Sequence, residues 1–400
     1  MYDLCGFVYF LIEKLYNIVC RGDKMSYGKA IVIFIVGLII VFLLQLVIGG
    51  DAALLGMLVL AIVMIYSIIS AAILGSGAVQ PRNSGAKRIL KDRMSEEFKN
   101  LYKYIIENYA QELEKLRKKL ILIITITVIF SIVAITIFGY IQECFITSES
   151  DNFFINGGFI FIPVFLYLYY QYDKHHQKYQ ERYKEVVVKN FIETLYNNLN
   201  YQNEVNNELE RYYGDAQFDG RRYLKFISND YISGRVNGTW IEMSDVILQT
   251  ETRRSEHMIT IHNCVFSCSK INKNILGEIR IKNNKNINIL KNNKIELDNP
   301  EFEKCFDVFG DSRILAMEIL THDIMEEMIE FYNNIGLDFE IVIKENRIYV
   351  KYDVGDIFEG EILRKSTNME TLWIFYNIIQ FAINLTQKMN RILEEKIILI

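Results

Sequence analysis

The chain has 400 residues, 51% of them hydrophobic, with a mean hydropathy of +0.11 and a formal net charge of −5. It is too apolar for an ordinary soluble protein and too polar for a chain built only of membrane spans. Beyond Lys184, 25 basic residues stand against 34 acidic ones, so this half lacks the Lys/Arg surplus that nucleic-acid binding draws on, and its average charge disfavours broad adhesion to anionic lipid. Six scattered cysteines make no disulfide framework, and a cytoplasmic placement would keep them reduced.

In chain order, residues 1–29 hold the apolar stretch Phe7–Ile12 behind Asp3, without a basic leader. This argues against a secretory signal and predicts a short interfacial or bundle-packing helix, with S-acylation at Cys5 or Cys20 as the alternative. Residues 30–75 carry the apolar runs Ile31–Ile48 and Ala52–Leu74, joined by Gly49-Gly50-Asp51. Each approaches the ~20 residues that cross a ~30 Å hydrocarbon core, which predicts a first transmembrane hairpin. Residues 76–119 are a linker and a helix. Gly75-Ser76-Gly77 has no strand before it and no Lys-Ser/Thr after it, so it is not a nucleotide loop.

From Met94 to Lys119, Phe98, Leu101, Tyr102, Ile105, Ile106, Tyr109, Leu113 and Leu116 recur at helical spacing, and this apolar face needs a partner. Residues 120–172 give a second predicted hairpin, Leu120–Phe138 and Phe153–Tyr170, around the acidic Glu143–Asp151. Eleven Lys/Arg lie between the second and third runs, and Lys174, Lys178, Arg182 and Lys184 follow the fourth, whereas none lies between the third and fourth. The positive-inside rule then predicts a multi-pass protein of the inner (cytoplasmic) membrane with both termini cytoplasmic and the lipid bilayer as a partner. No Asp, Glu, Lys, Arg or His lies within the four runs, which argues against a transport path. Gln45, Ser67, Ser70 and Asn156 read as helix-packing contacts.

Residues 173–213 read as a juxtamembrane helix. Its Tyr183, Val187, Phe191 and Leu195 match the spacing of the Phe98–Leu113 face, which predicts antiparallel packing of the two helices as a stalk. Residues 214–400 read as a cytoplasmic α+β domain. Strands are predicted at Tyr223–Ser228, Tyr231–Val236, Thr239–Leu248, Met258–Ser267 and Phe302–Phe309, with turns at Asn229-Asp230 and Asn237-Gly238. Asn283–Asn293 reads as a polar loop, Ile314–Phe331 and Met369–Ile392 as helices, and Phe339–Tyr352 as a hairpin around Glu345-Asn346. The predicted fold class is therefore an α-helical membrane anchor, four transmembrane helices as two hairpins, plus a cytoplasmic α+β domain.

Few residues invite chemistry. Cys264 and Cys268, with His257 and His262 nearby, suggest zinc. On a strand at ~3.3 Å per residue the two thiols lie about 13 Å apart, however, too far for ~2.3 Å Zn–S bonds, and their shared face suits core packing. His175 and His176 are adjacent on a helix and point apart. Glu326, Glu327 and Glu330 could form an acid/base cluster, although a solvated helix face is the plainer reading. No Gly-x-Ser-x-Gly, His-Glu-x-x-His or Walker pattern occurs. No catalytic residue, cofactor or metal ligand is assigned.

Asn229-Asp230-Tyr231-Ile232-Ser233-Gly234, Trp240–Val246, Asn272-Lys273, Pro300-Glu301-Phe302-Glu303-Lys304, Ala316–Met325 and Asn390-Arg391-Ile392 together resemble the bacterial membrane family catalogued as domain of unknown function 3137. The resemblance runs from about Met94 to Ile392 and supplies no reaction, ligand or catalytic residue. The chain departs from it twice. His262-Asn263-Cys264 stands where the family usually shows Phe-x-Gly, and Ala316-Met317-Glu318-Ile319-Leu320-Thr321-His322 where it usually shows Ala-Arg-Tyr-x-Leu-Thr-Pro. The expected function is an integral membrane protein that presents its α+β domain for interaction or scaffolding, with a protein partner or a second copy and no nucleic acid. The alternatives are a membrane-bound enzyme with a carboxylate-based site, in which His322 could take part, and a small transporter or channel component.

Overall fold

The computed structural model describes residues 95–145, 162–196, 198–203, 207–218, 223–252, 255–284, 293–355, 357–360, 362 and 369–395. These fall into two compact units, one formed by residues 110–183 with 360–362, the other by residues 95–109, 184–359 and 369–395.

The first unit takes the later part of α1 (Glu96–Phe145) and α2 (Ile162–Tyr183). Leu113, Leu120, Thr127, Ser131 and Ala134 are buried along one stripe of α1, at the three-, four- and seven-residue spacings that keep side chains on one helical face. Glu112 accepts from Arg182 at 2.8 Å, and the Phe130 and Phe165 rings meet at 5.2 Å. The backbone near 360 is pinned to both helices. Gln180 Nε2 donates to Gly360 O (3.0 Å), Gly360 N donates back to Gln180 Oε1 (2.7 Å), and Arg117 Nη1 donates to Ile362 O (2.9 Å). Only glycine fits at 360, because a Cβ there would meet the Tyr179 ring at 2.8 Å.

The predicted membrane anchor requires correction. Among the described residues no helix is long and apolar enough to cross a membrane. The four-span fold class, the transmembrane assignment and the inner-membrane location are withdrawn on that finding. Two physical features misled the hydropathy reading. The Leu120–Phe138 run lies inside one 50-residue helix that starts at Glu96, and a stripe of it is spent on packing. The Phe153–Tyr170 run is helical in the described residues only from Ile162, far short of ~20 residues, and α2 then continues through Gln171, Asp173 and Lys174. Ile31–Ile48, Ala52–Leu74 and most of Glu143–Asp151 lie outside the described residues.

In the second unit a π-helical turn, Lys184–Lys189, leads into α3 (Asn190–Leu195). Phe98, fully buried near the start of α1, meets Phe191 of α3 at 6.1 Å and Trp373 at 5.0 Å. The face predicted from Phe98 to Leu113 is thus packed on protein. The Phe98–Phe191 contact lies within this unit, and the Glu112–Arg182 pair within the first.

Next come β1 (Leu199–Gln202), α4 (Asn207–Ala216), β2 (Lys225–Val236), β3 (Thr239–Thr252) and β4 (Ser255–Asn283). They are followed by β5 (Lys294–Ile295), α5 (Pro300–Cys305), β6 (Phe306–Gly310), α6 (Arg313–Ile319), α7 (His322–Ile335), β7 (Phe339–Tyr352) and α8 (Met369–Glu395). The strands make one seven-stranded antiparallel sheet in the order β1-β2-β3-β4-β6-β5, with β7 on β4.

The predicted hairpin in β7 is present. Asp353 N donates to Asp338 O (2.8 Å) and Lys351 Nζ lies 3.4 Å from Glu340 Oε2, whereas residues 340 and 351 of a straight strand would stand about 36 Å apart. Glu345, at a φ of 53°, makes the reversal. The hairpin is inserted between two arms of β4, because Val265–Lys270 pairs with its returning half and Glu278–Lys282 with its leading half. The β2–β3 turn also follows the sequence: Asn237 and Gly238 both have positive φ, as a two-residue type I′ turn demands.

The Asn229-Asp230 turn does not occur. The pair forms a bulge inside a continuous β2, with Asp230 at a φ of 54°. The predicted strand Phe302–Phe309 begins as α5, because Asn299 caps the Glu301 and Phe302 amides and Pro300 suits the first turn. Ile314–Phe331 breaks into α6 and α7 at Leu320-Thr321.

Helices cover both faces of the sheet. On one, α8 places Phe381 against Phe339 (5.4 Å) and Tyr352 (6.3 Å). On the other, Tyr212, Tyr213, Ala216 and Phe218 of α4 and its exit cover Val246, Cys264, Phe266, Cys268 and Tyr349. The residues that carried the family resemblance include the fastenings of this fold. Asn390 Oδ1 accepts from Asn272 N (2.7 Å), and Lys273 Nζ donates to the Leu393 carbonyl, so the arch of β4 satisfies the C-terminal turn of α8.

Candidate functional site

The face of the sheet under α4 gathers most of the ionisable side chains that strand pairing brings together. Its first feature is an ion network around Glu340, which is 5% exposed. Glu340 accepts from Arg280 Nη1 (2.9 Å) and pairs with Lys282 (2.9 Å) and Lys351 (3.4 Å). Arg280 also donates to Glu278 Oε1 (2.9 Å) and to the carbonyls of Ala216 (2.9 Å) and Gln217 (3.1 Å) at the end of α4. A carboxylate this deep is tolerable only when paired, and here it locks α4 onto the sheet.

One residue pair along, Cys268 is also buried. Arg347 Nη1 donates to its sulfur (3.5 Å), Arg347 Nη2 donates to Tyr212 Oη (3.2 Å), and the guanidinium lies 4.1 Å from the centre of the Tyr212 ring. Burial pushes the Cys268 thiol up to about 12, and Arg347 offsets only part of that. Such a thiol is neutral and inert at physiological pH. Glu242 pairs in register with Cys268. It is buried, its Oε1 accepts from Trp240 Nε1 (2.7 Å), and its Oε2 has no hydrogen-bond partner among the described residues.

The outer edge of the same face is basic. Arg235 pairs with Trp240, and Lys270 with Arg347. Lys344 follows across the β7 reversal, 4.0 Å from Glu278. Arg211, on α4, lies 5.2 Å from the Tyr212 ring on which Arg347 also rests. Among the described residues Arg211, Arg235, Lys270 and Arg347 have no carboxylate within salt-bridge distance.

A second buried cluster lies at the β2 bulge. Asp230, fully buried, holds Lys184 of the π-turn (2.7 Å) and the Tyr201 hydroxyl. Asp245 Oδ1 accepts from Asn229 N (3.2 Å), and Ser244 donates to Asn229 O. Beyond the bulge, Gly234 pairs with Leu199 of β1, and a Cβ there would collide with the Asn198 carbonyl. π-Turns often mark functional sites. Here both carboxylate oxygens of Asp230 are engaged by neighbours, and the cluster fastens β2 to β1 and the π-turn.

The residues singled out from the sequence are dispersed. Cys264 and Cys268 share a face and lie in the core cluster. His262 pairs in register with Leu248, and the His257 side chain lies outside the described residues. Among the described residues no three His, Cys, Asp or Glu side chains could hold a metal. His176 stacks on Tyr172 at 5.6 Å, while burial and then Lys119, Lys174 and Lys178 lower the pKa of His175. Glu326 faces His322 at 3.6 Å and Glu330 is exposed, but Glu327 turns to α8, where it binds Lys388 (2.6 Å) and Asn384 (3.2 Å). The three glutamates therefore do not converge. Met317, in the second departure from the family pattern, is largely exposed.

The fold defines the class: an antiparallel sheet with helices on both faces and a hairpin held between the arms of one strand. Residues 260–391 match the family model described as "Protein of unknown function (DUF3137)", so the resemblance read from the sequence is borne out over that stretch. No curated protein matches the chain. Among solved structures, the mycobacterial trehalose monomycolate transport factor A, TtfA, is similar at 8% identity, with 49% of this chain and 86% of that chain covered and a TM-score of 0.27.

Proposed function

We propose that the chain is an interaction protein whose α+β unit is the binding module. The observation that supports this reading is the basic edge of the α4 face. Arg211, Arg235, Lys270 and Arg347 lie there without carboxylate partners among the described residues, beside the half-buried Trp240. The buried Glu340 and Asp230, by contrast, are satisfied by neighbours within the fold. Cations that a fold leaves unpaired in one patch cost little in water and become useful when an anionic surface arrives.

A photoreactive residue placed at Lys270 of the full chain should crosslink one protein species in cells, and the same residue at the exposed Lys304 of α5 should not. That protein, once purified, should bind the chain saturably and lose affinity on Lys270→Glu. Equal crosslinking from both positions, or affinity unchanged by Lys270→Glu, would sink the reading.

A further inference from the structure

The chemistry of the partner follows from the geometry of the basic edge, and this inference rests on the interaction reading above. Side chains opposite one another on neighbouring strands share a face. Arg235 is opposite Trp240 and Lys270 opposite Arg347, while one register step beyond the Ile241–Ser269 pair sets Trp240 beside Lys270. Lys344 is the next cation, on the leading half of β7. With strands ~4.8 Å apart, the row from β2 to that half spans about 19 Å, close to the length of six extended residues.

A second observation is independent of register. Two guanidinium groups, Arg347 and Arg211, close on one Tyr212 ring at 4.1 and 5.2 Å. They are therefore within about 10 Å of each other and, among the described residues, neither forms a salt bridge with a carboxylate, an arrangement whose repulsion an anion would relieve. Arg347 uses two of its five donors on Cys268 and Tyr212, which leaves its fork partly free. The row is also discontinuous in charge, since the exposed Asp215 and Glu345 border it and Glu242 is buried beneath it. A nucleic-acid strand, charged at every phosphate, would meet those carboxylates along its whole path. Carboxylates spaced along a polypeptide would not.

We propose that this row, with Arg347, Arg211 and Lys270 at its centre and Arg235 and Lys344 at its ends, receives an acidic segment of a partner polypeptide laid across the strands. The guanidinium groups take carboxylates in forked hydrogen bonds, and Trp240 packs beside the segment.

A fluorescein-labelled oligoglutamate titrated with the full chain, followed by anisotropy near physiological salt, tests this. Saturable binding is expected, weakened about tenfold or more by Lys270→Glu and by Arg211→Glu and untouched by Lys304→Glu. All three positions are exposed, so unchanged melting curves should accompany the loss. No binding, equal weakening by Lys304→Glu, or stronger competition by an oligothymidylate or anionic vesicles of matched charge overturns the proposal. If the crosslinked partner depends on Lys270 while oligoglutamate fails to bind, this inference falls and the interaction reading stands. If Lys270→Glu leaves partner binding intact, the interaction reading falls as well.

Discussion

Lys351 Nζ lies 3.4 Å from Glu340 Oε2, the two groups facing each other across the β7 hairpin in a region both share with Arg280 and Lys282. The pair closes the hairpin, and the same carboxylate offsets three cations where little water reaches. Removing one partner of such a buried network leaves the others uncompensated, typically at a cost of about 3–5 kcal/mol. Glu340→Ala should therefore lower unfolding free energy by about that amount in urea titrations, with α4 loosened as well because Arg280 also holds its last carbonyls. A loss under about 1 kcal/mol would mean that solvent screens the network.

Phe98 supplies a test of the helix packing. Its fully buried ring touches Phe191, Trp373 and Tyr376. Truncation to Ala should cost about 3–5 kcal/mol, as for other buried aromatics. Thermal melts of Phe98→Ala and of Ile106→Ala, which is only half-buried, should differ clearly. Equal, small effects would place the α1 face outside the core.

Cys268 gives a pH dependence with a definite sign. Its folded-state pKa is raised by burial from 9.0 to about 12, so the neutral thiol is the form the fold prefers. The resulting stability is complete below about pH 9 and is lost as pH rises towards 12, since the unfolded chain ionises first. Chemical denaturation between pH 8 and 11 should show a fall that is shallower in Cys268→Ala. At neutral pH, iodoacetamide followed by peptide mapping should modify the half-exposed Cys305 before Cys264 or Cys268. Alkylation of native Cys268 at a rate matching Cys305 would contradict its burial.

The close approach of the backbone at Asn198 predicts intolerance at Gly234. A methyl group there would strike the Asn198 carbonyl, which is backbone and cannot swing away. Gly234→Ala should destabilise by about 2 kcal/mol or more, beyond an ordinary surface change. Amide exchange should speed up at β1 and the adjoining part of β2. Exchange at wild-type rates would show that β1 shifts freely to make room.

Short-range signals were the legible part of this chain. Asn237-Gly238 and Glu345-Asn346 announced their reversals because positive φ selects those residue types. The Phe98–Leu113 periodicity named a real packing face. Asn229-Asp230 failed by the same logic, since a left-handed residue serves a bulge as well as a turn. Hydropathy failed for a different reason. It averages over a helix, whereas in the Leu120–Phe138 run Leu120, Thr127, Ser131 and Ala134 are buried and Leu122, Ile126, Ile129, Val133 and Ile137 are exposed. The basic row was invisible because its members are scattered from Arg211 to Arg347 in an acidic half, and only the β4–β7 register aligns them. The resemblance to a family of unknown function could not point to it either.

The central claim is that the α+β unit binds a partner through that row. Its most direct test is the affinity of the purified crosslinked partner for the full chain, measured by titration calorimetry at rising salt, for wild type and for Lys270→Glu. The account predicts that wild-type binding weakens with salt, and that Lys270→Glu binds about tenfold less tightly with a shallower salt dependence. Equal affinity and equal salt dependence in the two proteins would contradict it.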